Sequence, residues 1–507
     1  MQHGISRKIH LTLSPATEND SRSDQQRLLD ALSALGYDAH MSLRALRQLA
    51  LCGRDLTAWL AYDGARWDVV SITPGDSSAQ HYGYALDLGS TTAVMRLIDC
   101  NSGSMIAEER AANGQIPWGE DILSRIFACK GSSDTLAQLH RATLDTISQL
   151  FDQLTEQTGI DPASCISMVV SCNTTMLHFL LELDPFCVFS APYAVHADRP
   201  GFLLASALTL PLCGYVFCMP CKSNYLGGDI ISGMLATGLP EKEQISVFFD
   251  IGTNGELVVG NRDFLLCGAG AAGPALEGGV VKTGLRAMAG AVDRVRIKNG
   301  EIHCHVIGDV PPKGICGSGI VDLIAELFLS GMIDLRGRLQ PDVSPLIAAD
   351  IETGELSVAY APGLRFYQSD IDEFIRTKSA AYTMVEYLLQ SAGIPMNAVS
   401  DFYAAGAFGD HVDIESAVTI GMYPDLPREH LIAAGNTSLI GAQLLLLDWS
   451  LLLRLDSILE RMTYLQLGQA GDFISLMVAA QALPHTDLSR YPSVAKKLAA
   501  RRAAKAP

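Results

Sequence analysis

Tyr84-Ala85-Leu86-Asp87-Leu88-Gly89-Ser90-Thr91-Thr92 returns 163 residues later as Val247-Phe248-Phe249-Asp250-Ile251-Gly252-Thr253-Asn254-Gly255. In each copy an apolar strand ends in aspartate, x-Gly-[Ser/Thr]-[Thr/Asn] follows, and a second strand begins: Ala93 to Ile98, and Glu256 to Gly260. One copy alone is weak evidence, because an aspartate can serve only its own turn. Two copies at this separation predict a duplicated α/β domain. Glycine gives a tight turn access to positive φ and lets backbone approach an anion. Successive N–H groups and small hydroxyls then form an anion-binding concavity. Phosphate alone would not require the acid. A carboxylate at the strand end suits Mg²⁺, held directly or through water against the phosphates. The metal candidates are therefore Asp87 and Asp250.

The chain around these hairpins has 507 residues, enough for two to four domains. Its 37 basic and 55 acidic residues leave a formal charge of −18. That balance excludes nucleic-acid binding as the main task, which needs a basic face to replace phosphate counterions. Hydrophobic residues make up 48% of the chain, so large cores can form. A mean hydropathy of +0.20 raises the question of a membrane span. The best candidate, Leu439 to Leu453, is interrupted by Gln443, Asp448 and Ser450 and reads as a buried helix. The start, Met1-Gln2-His3-Gly4-Ile5-Ser6-Arg7-Lys8, lacks the apolar stretch of a signal peptide, so a cytoplasmic, membrane-free protein is expected.

Twelve cysteines are scattered along the chain. Cys213, Cys218 and Cys221 have the C-x4-C-x2-C spacing that opens a plant-type [2Fe–2S] loop. The intervening Tyr215-Val216-Phe217 is strand-like, and the next cysteine is Cys267. Three buried strand thiols, and no iron–sulfur cluster in this chain, are expected.

Residues 1–80 read as a separate small α+β unit. A strand carries Ile9, Leu11 and Leu13; helical faces carry Leu28 to Leu35 and Leu43 to Leu51; strands pair around Asp63-Gly64. Strands and helices then alternate from 81 to about 485, in halves of about 81–245 and 246–485. Long helices are predicted at 134–158 and 370–392. Residues 486–507 form a basic, Ala-rich tail that reads as a solvated helix.

The paired hairpins resemble those of the acetate kinase, sugar kinase, heat-shock chaperone and actin superfamily, whose nucleotide lies between two ribonuclease-H-like halves. Further segments occur in the superfamily's order. Val169 to Thr175 resembles its connecting segment, Gly314-Ile315-Cys316-Gly317-Ser318-Gly319 opens an apolar helix, and Phe402 to Gly409 resembles the adenosine motif. The detail is similar to one family, the reductive activators of corrinoid proteins. The segments that carry this are Phe249 to Glu256, Ala271 to Gly278, Gly314 to Gly319, Ala405 to Gly409, Ile420 to Pro427 and Gly119-Glu120-Asp121-Ile122-Leu123-Ser124-Arg125-Ile126. The resemblance covers 81 to about 485, and residues 1–80 resemble the family's middle domain.

The resemblance implies an ATPase that uses ATP and Mg²⁺ to help return Co(II) in a corrinoid protein of a methyltransferase or demethylase system to Co(I). Members usually begin with a ferredoxin domain and linker, and this chain starts after where both would be, so electrons are expected from a separate ferredoxin-like donor. A homodimer is left open. Two further departures are Cys172 in place of a glycine before Asn173-Thr174-Thr175, and Met219 to Asn224 in place of an apolar-rich stretch. Implied catalytic residues are Asp87, Asp250, Asp121 and Glu256. Implied nucleotide contacts are Gly89, Ser90, Thr91, Thr92, Asn173, Thr174, Gly252, Thr253, Asn254, Gly255, Gly317, Ser318, Gly319, Gly406 and Gly409.

Bland readings stand beside these. Asp121 opens a helix, where an acid is common as a cap. Glu256 is also a plausible solvated strand residue. His178 sits among apolar neighbours as a core imidazole, and Arg286 suits a surface ion pair as well as a phosphate. A sugar or carboxylate kinase, with Asp121 or Asp229 as base, and a nucleotide-switched scaffold without a redox client are the alternative functions.

Overall fold

The computed structural model describes residues 4–252, 254–270, 279, 281–467 and 473–505. Thr253 and the signature segment Ala271 to Gly278 lie outside the described residues. The chain divides into two compact units: Met1–Ala236 with Thr437–Glu460, and Thr237–Asn436 with Arg461–Pro507. The division differs from the contiguous halves read from sequence, because Thr437–Glu460 belongs to the first unit.

The first unit contains two sheets. Strand Ser6–Thr12 pairs with Asp55–Tyr62, which pairs with Trp67–Pro74 and then Ala39–Met41. Helices Asp24–Ala34 and Leu43–Cys52 bury Leu28, Leu32, Ala45 and Leu49 against one face. Residues 1–80 thus have their own core. They are nonetheless tied to the rest of the unit, where Trp59, Ala61 and Val70 pack on Ile166 and the Tyr215 hydroxyl donates to Asp68 at 3.2 Å.

The larger sheet runs Met105–Ala112, Thr92–Asp99, Tyr82–Leu88, Ser167–Ser171, Tyr215–Cys218, Gly201–Leu204. Helix Ser133–Thr158 covers it with Leu139, Ile147, Leu150, Phe151 and Leu154, spaced three, four and eight apart as one helical stripe. The second unit repeats the pattern with Leu265–Gly270, Gly255–Gly260, Ser246–Ile251, Asp401–Ala405 and Leu431–Gly435 as neighbours in that order. In both sheets the strand that is first along the chain pairs antiparallel with the second along the chain and parallel with the fourth, and the register is equivalent: Asp87 opposes Ser171, and Asp250 opposes Ala405. The duplication read from two hairpins therefore extends through whole sheets.

The long helix read at 370–392 is Gln368–Ser391. Two other readings are corrected. Leu439 to Leu453 is not one buried helix: Thr437–Leu447 and Leu451–Arg461 are separated at Asp448-Trp449-Ser450, and Leu453 is exposed. The C-terminal helix Pro492–Lys505 is not merely solvated, since Tyr491 and Val494 are buried and Lys497 pairs with Glu415 at 2.5 Å. Among the described residues no helix is long and apolar enough to cross a membrane.

Helix Thr437–Leu447 lies on the strands that carry Asp87 and Ser171, and at Gly441 it meets the backbone of Ser232 in helix Gly228–Thr237. A Cβ on Gly441 would sit 2.3 Å from the Ser232 carbonyl oxygen. Backbone cannot yield there as a flexible side chain could. Gly441→Ala is expected to destabilise the first unit by about 1–3 kcal/mol in chemical denaturation, and an unchanged midpoint would contradict this packing.

Candidate functional site

Each unit ends its central strand in an aspartate, and the two surroundings differ. In the first hairpin Asp87 accepts from the Ser438 hydroxyl at 2.8 Å. Ser438 lies 2.9 Å from the Ser171 hydroxyl, which lies 2.8 Å from that of Ser232. Ser438 is the donor toward both Asp87 and Ser171, and a hydroxyl has one proton to give, so its single hydrogen is shared between the carboxylate and the serine chain. Ser171 closes its strand, and Ser438 stands in the first turn of Thr437–Leu447. Sequence reading did not single out Ser438. The signal was there: Asn436-Thr437-Ser438 opens its helix as Asn173-Thr174-Thr175 opens another.

Asp229, in the first turn of helix Gly228–Thr237, is the second acid of this unit. Burial of its carboxyl pushes the pKa up to about 7, against the backbone N–H of Ile230 donated at 2.9 Å, and the negative charge of Asp87 adds to the rise. One of two neighbouring carboxyls held protonated near neutrality is an arrangement suited to proton transfer or to capture of a cation.

The turn of this hairpin is braced from below. Asn113 donates to the Gly89 carbonyl at 2.8 Å, and its N–H donates to Thr91 at 2.9 Å. Gly89 leaves no room for a side chain, since a Cβ would meet the Thr92 oxygen at 2.4 Å. Ser90 and Thr91 complete the turn, and Thr92 begins the next strand. Asn173 caps helix Thr174–Leu180 by accepting from Met176 N–H at 2.9 Å. The Thr174 hydroxyl donates to the Ser223 carbonyl at 2.7 Å. Asp121 caps helix Ile122–Cys129, with both oxygens taken by the N–H and hydroxyl of Ser124 at 2.8 and 2.7 Å. Burial raises its pKa, and the Ser124 bonds more than reverse this, leaving the carboxyl below its usual value. The geometry of Asp121 is that of a cap.

In the second hairpin Asp250 stands directly opposite Glu256, and the strands close at Ile251–Gly255, one residue tighter than in the first. Side chains so paired lie on one face with Cβ atoms about 5 Å apart, and like charges there repel. A divalent cation converts that repulsion into binding, so the pair fits Mg²⁺ by its chemistry. Gly252 N–H donates to the Asn254 carbonyl at 2.9 Å, shaping the turn. Gly406 has φ +81°, and a Cβ on it would fall 2.6 Å from an Asp250 carboxylate oxygen. The strand-to-helix turn at Gly406 therefore presses against this hairpin, and Gly409 seals the turn against Ala404. Gly317, Ser318 and Gly319 open helix Gly317–Ser330, with no side-chain cap from Cys316. A Cβ on Gly319 would meet the Val292 oxygen at 2.3 Å, so this glycine serves close helix–strand packing.

Of the three closely spaced cysteines, Cys218 alone lies in a strand; Cys213 precedes it and Cys221 follows. Cys218 and Cys221 are buried, and burial pushes both thiols up to about 12. His178 is a core imidazole, its Nδ1 2.7 Å from the Thr174 carbonyl.

Asp229 yields a signed prediction. Its folded pKa lies above its unfolded value, so the folded state holds the extra proton, and stability falls as pH rises from about 4 to 7. Asp229→Asn is expected to remove that slope, gaining up to about 4 kcal/mol over the wild type at pH 8 and little at pH 4. Parallel denaturation curves for the two proteins across this range would contradict the raised pKa.

Comparison with known proteins accords with these features. Residues 244–495 match the family described as the C-terminal domain of RACo, the ASKHA domain, and residues 82–242 match the RACo middle region. The region named "middle" thus falls on 82–242 and not on residues 1–80, where sequence reading put it. The corrinoid activation enzyme RamQ of Eubacterium limosum is 33% identical over 383 residues, which are 72% of this chain and 64% of RamQ. This chain therefore spans less than two thirds of that relative. The [Co(II) methylated amine-specific corrinoid protein] reductase of Methanosarcina barkeri is 24% identical, over 75% of this chain and 72% of its own. The solved structure of a reductive activator for corrinoid, iron–sulfur protein superposes with a TM-score of 0.89 at 34% identity, covering 97% of this chain and 81% of that one. With two aspartate hairpins on duplicated sheets and this similarity along nearly its whole length, the chain belongs to the RACo family, the reductive activators of corrinoid proteins.

Proposed function

We propose that this protein is a cytoplasmic, ATP-dependent activator that helps return a corrinoid protein from Co(II) to Co(I), using electrons from a separate low-potential donor. Family membership across residues 82–495 carries the reading. RamQ and the Methanosarcina reductase, which act on corrinoid proteins, supply the client class.

In this reading each hairpin takes part in holding MgATP. The backbone of Gly89–Thr91 and of Gly252, Asn254 and Gly255 would face phosphate oxygens, and Asp87 and Asp250 would hold magnesium, directly or through its water shell. Glu256 shares the cation's charge with Asp250. Asp229, with its raised pKa, holds a proton beside Asp87 near neutrality. The glycines at 317, 319, 406 and 409 bring backbone close to the rest of the nucleotide. Bound magnesium supplies charge neutralisation at the phosphates.

Reduction of Co(II) is uphill for most biological donors, and nucleotide binding can shift it. A differential of about 5.5 kcal/mol inverts a 1:99 population. For one electron that corresponds to roughly 240 mV. The chain's part is to bind the Co(II) state of its client in a geometry that MgATP stabilises, so that the donor's electron is accepted.

MgATP turnover should rise when a Co(II) corrinoid protein is added. Asp250→Ala should lower turnover by about 100-fold or more with the thermal transition unchanged, because the substitution removes a charge at a turn and no packed apolar group. Undiminished turnover in Asp250→Ala, or no response to any corrinoid protein, would contradict the reading.

A further inference from the structure

Most large apolar side chains of the first unit are buried, yet several gather in the open on one surface. Helix Ile122–Cys129 turns Arg125, Ile126 and Cys129 inward and exposes Leu123 and Phe127. Phe127 meets Phe189 at 4.9 Å and Phe186 at 6.3 Å between ring centroids, both edge-on, so the short helix Phe186–Phe189 completes an aromatic cluster. Phe127 is 48% and Phe189 38% exposed. Aromatic residues bare to this degree on a soluble surface are the kind that anchor protein interfaces.

The rim is acidic. Glu120 and Asp121 lead into the first helix, Glu182 and Asp184 lead into the second, and all four are exposed. Lys130 also lies here, its ammonium 4.2 Å from the centre of the Phe186 ring. The face therefore complements a partner with an apolar centre bordered by lysine and arginine.

This surface is joined to the Asp87 hairpin by buried hydrogen bonds. Asn113 holds the Gly89 carbonyl at 2.8 Å and accepts from Gln115 N–H at 2.9 Å. The Gln115 side-chain oxygen accepts from Arg125 at 3.1 Å, and Arg125 also donates to the Gly119 carbonyl at 2.8 Å. Asn113, Gln115 and Arg125 are all at most 1% exposed. The Arg125 guanidinium hydrogen-bonds to neutral acceptors, two carbonyls, the Gln115 amide and the Met176 sulfur. Any shift of the Gly89 turn on phosphate binding thus reaches the helix that carries Leu123 and Phe127.

We propose that the Leu123–Phe127–Phe186–Phe189 face is the docking surface for the Co(II) corrinoid protein, and that the Arg125–Gln115–Asn113 bridge couples its occupancy to the nucleotide hairpin. The inference rests on the function proposed above. Arg125 is a positioning residue: it touches neither nucleotide nor partner.

The test uses the full chain and a Co(II) corrinoid protein that stimulates its ATP turnover. Phe127→Ser with Phe189→Ser should leave the thermal transition and basal turnover unchanged, weaken corrinoid-protein binding about 30-fold and abolish stimulation. Glu182→Lys should slow association several-fold at low salt and flatten its salt dependence. Arg125→Met should keep binding but lose stimulation, with Arg125→Lys restoring part of it. Wild-type binding by the double serine variant would overturn the docking surface. Wild-type stimulation in Arg125→Met would overturn the coupling. A wild-type chain that turns over ATP but binds no corrinoid protein would overturn the functional reading, and this inference with it.

Discussion

A carboxylate at the end of a sheet's central strand has to be stabilised, and the rest of each unit is arranged around that need. In the first unit the need is met by hydroxyls: Ser438 donates to Asp87 at 2.8 Å, with Ser171 and Ser232 behind it. The neighbouring Asp229 reduces repulsion by holding its proton up to about pH 7. In the second unit Asp250 faces Glu256 across the strands, an arrangement that a divalent cation stabilises. Close packing follows from the same need. Gly441 lets helix Thr437–Leu447 approach near enough to carry Ser438 to Asp87, and Gly406 lets a strand-to-helix turn approach Asp250.

Features legible in the sequence were those encoded locally and twice. Asp87-Leu88-Gly89 and Asp250-Ile251-Gly252 predict a duplication because turn chemistry is a matter of adjacent residues, and the equivalent sheets bear that out. Helix Ser133–Thr158 was legible because its stripe of Leu139, Ile147, Leu150 and Leu154 is periodic. Long-range features were not. Ser438 reaches Asp87 across 351 positions, and no local pattern announces such a contact. The break at Asp448-Trp449-Ser450 was hidden in an apolar run, and the ion pair of Lys497, on the C-terminal helix, with Glu415 joins residues 82 positions apart. Asp121 shows the opposite limit: a motif position within a family signature whose carboxyl is used as a helix cap.

The two acidic environments also suggest how nucleotide chemistry is linked to the rest of the first unit. Asn113 touches the hairpin turn at both Gly89 and Thr91, and through Gln115 it leads to the buried Arg125. A guanidinium held by carbonyls and an amide is stiff and costly to move, so it transmits displacement and does not absorb it. In the proposed function such a network would pass the state of a bound phosphate to a surface. That is the property an ATP-driven activator of another protein requires.

The central claim is that this chain uses MgATP to make one-electron reduction of a partner's cobalt possible. The most direct measurement follows the cobalt oxidation state by absorption spectroscopy under anaerobic conditions, leaving out each component in turn. Co(I) is expected only when this protein, MgATP, a low-potential electron donor and the Co(II) corrinoid protein are all present. An equal yield of Co(I) without ATP would contradict the account.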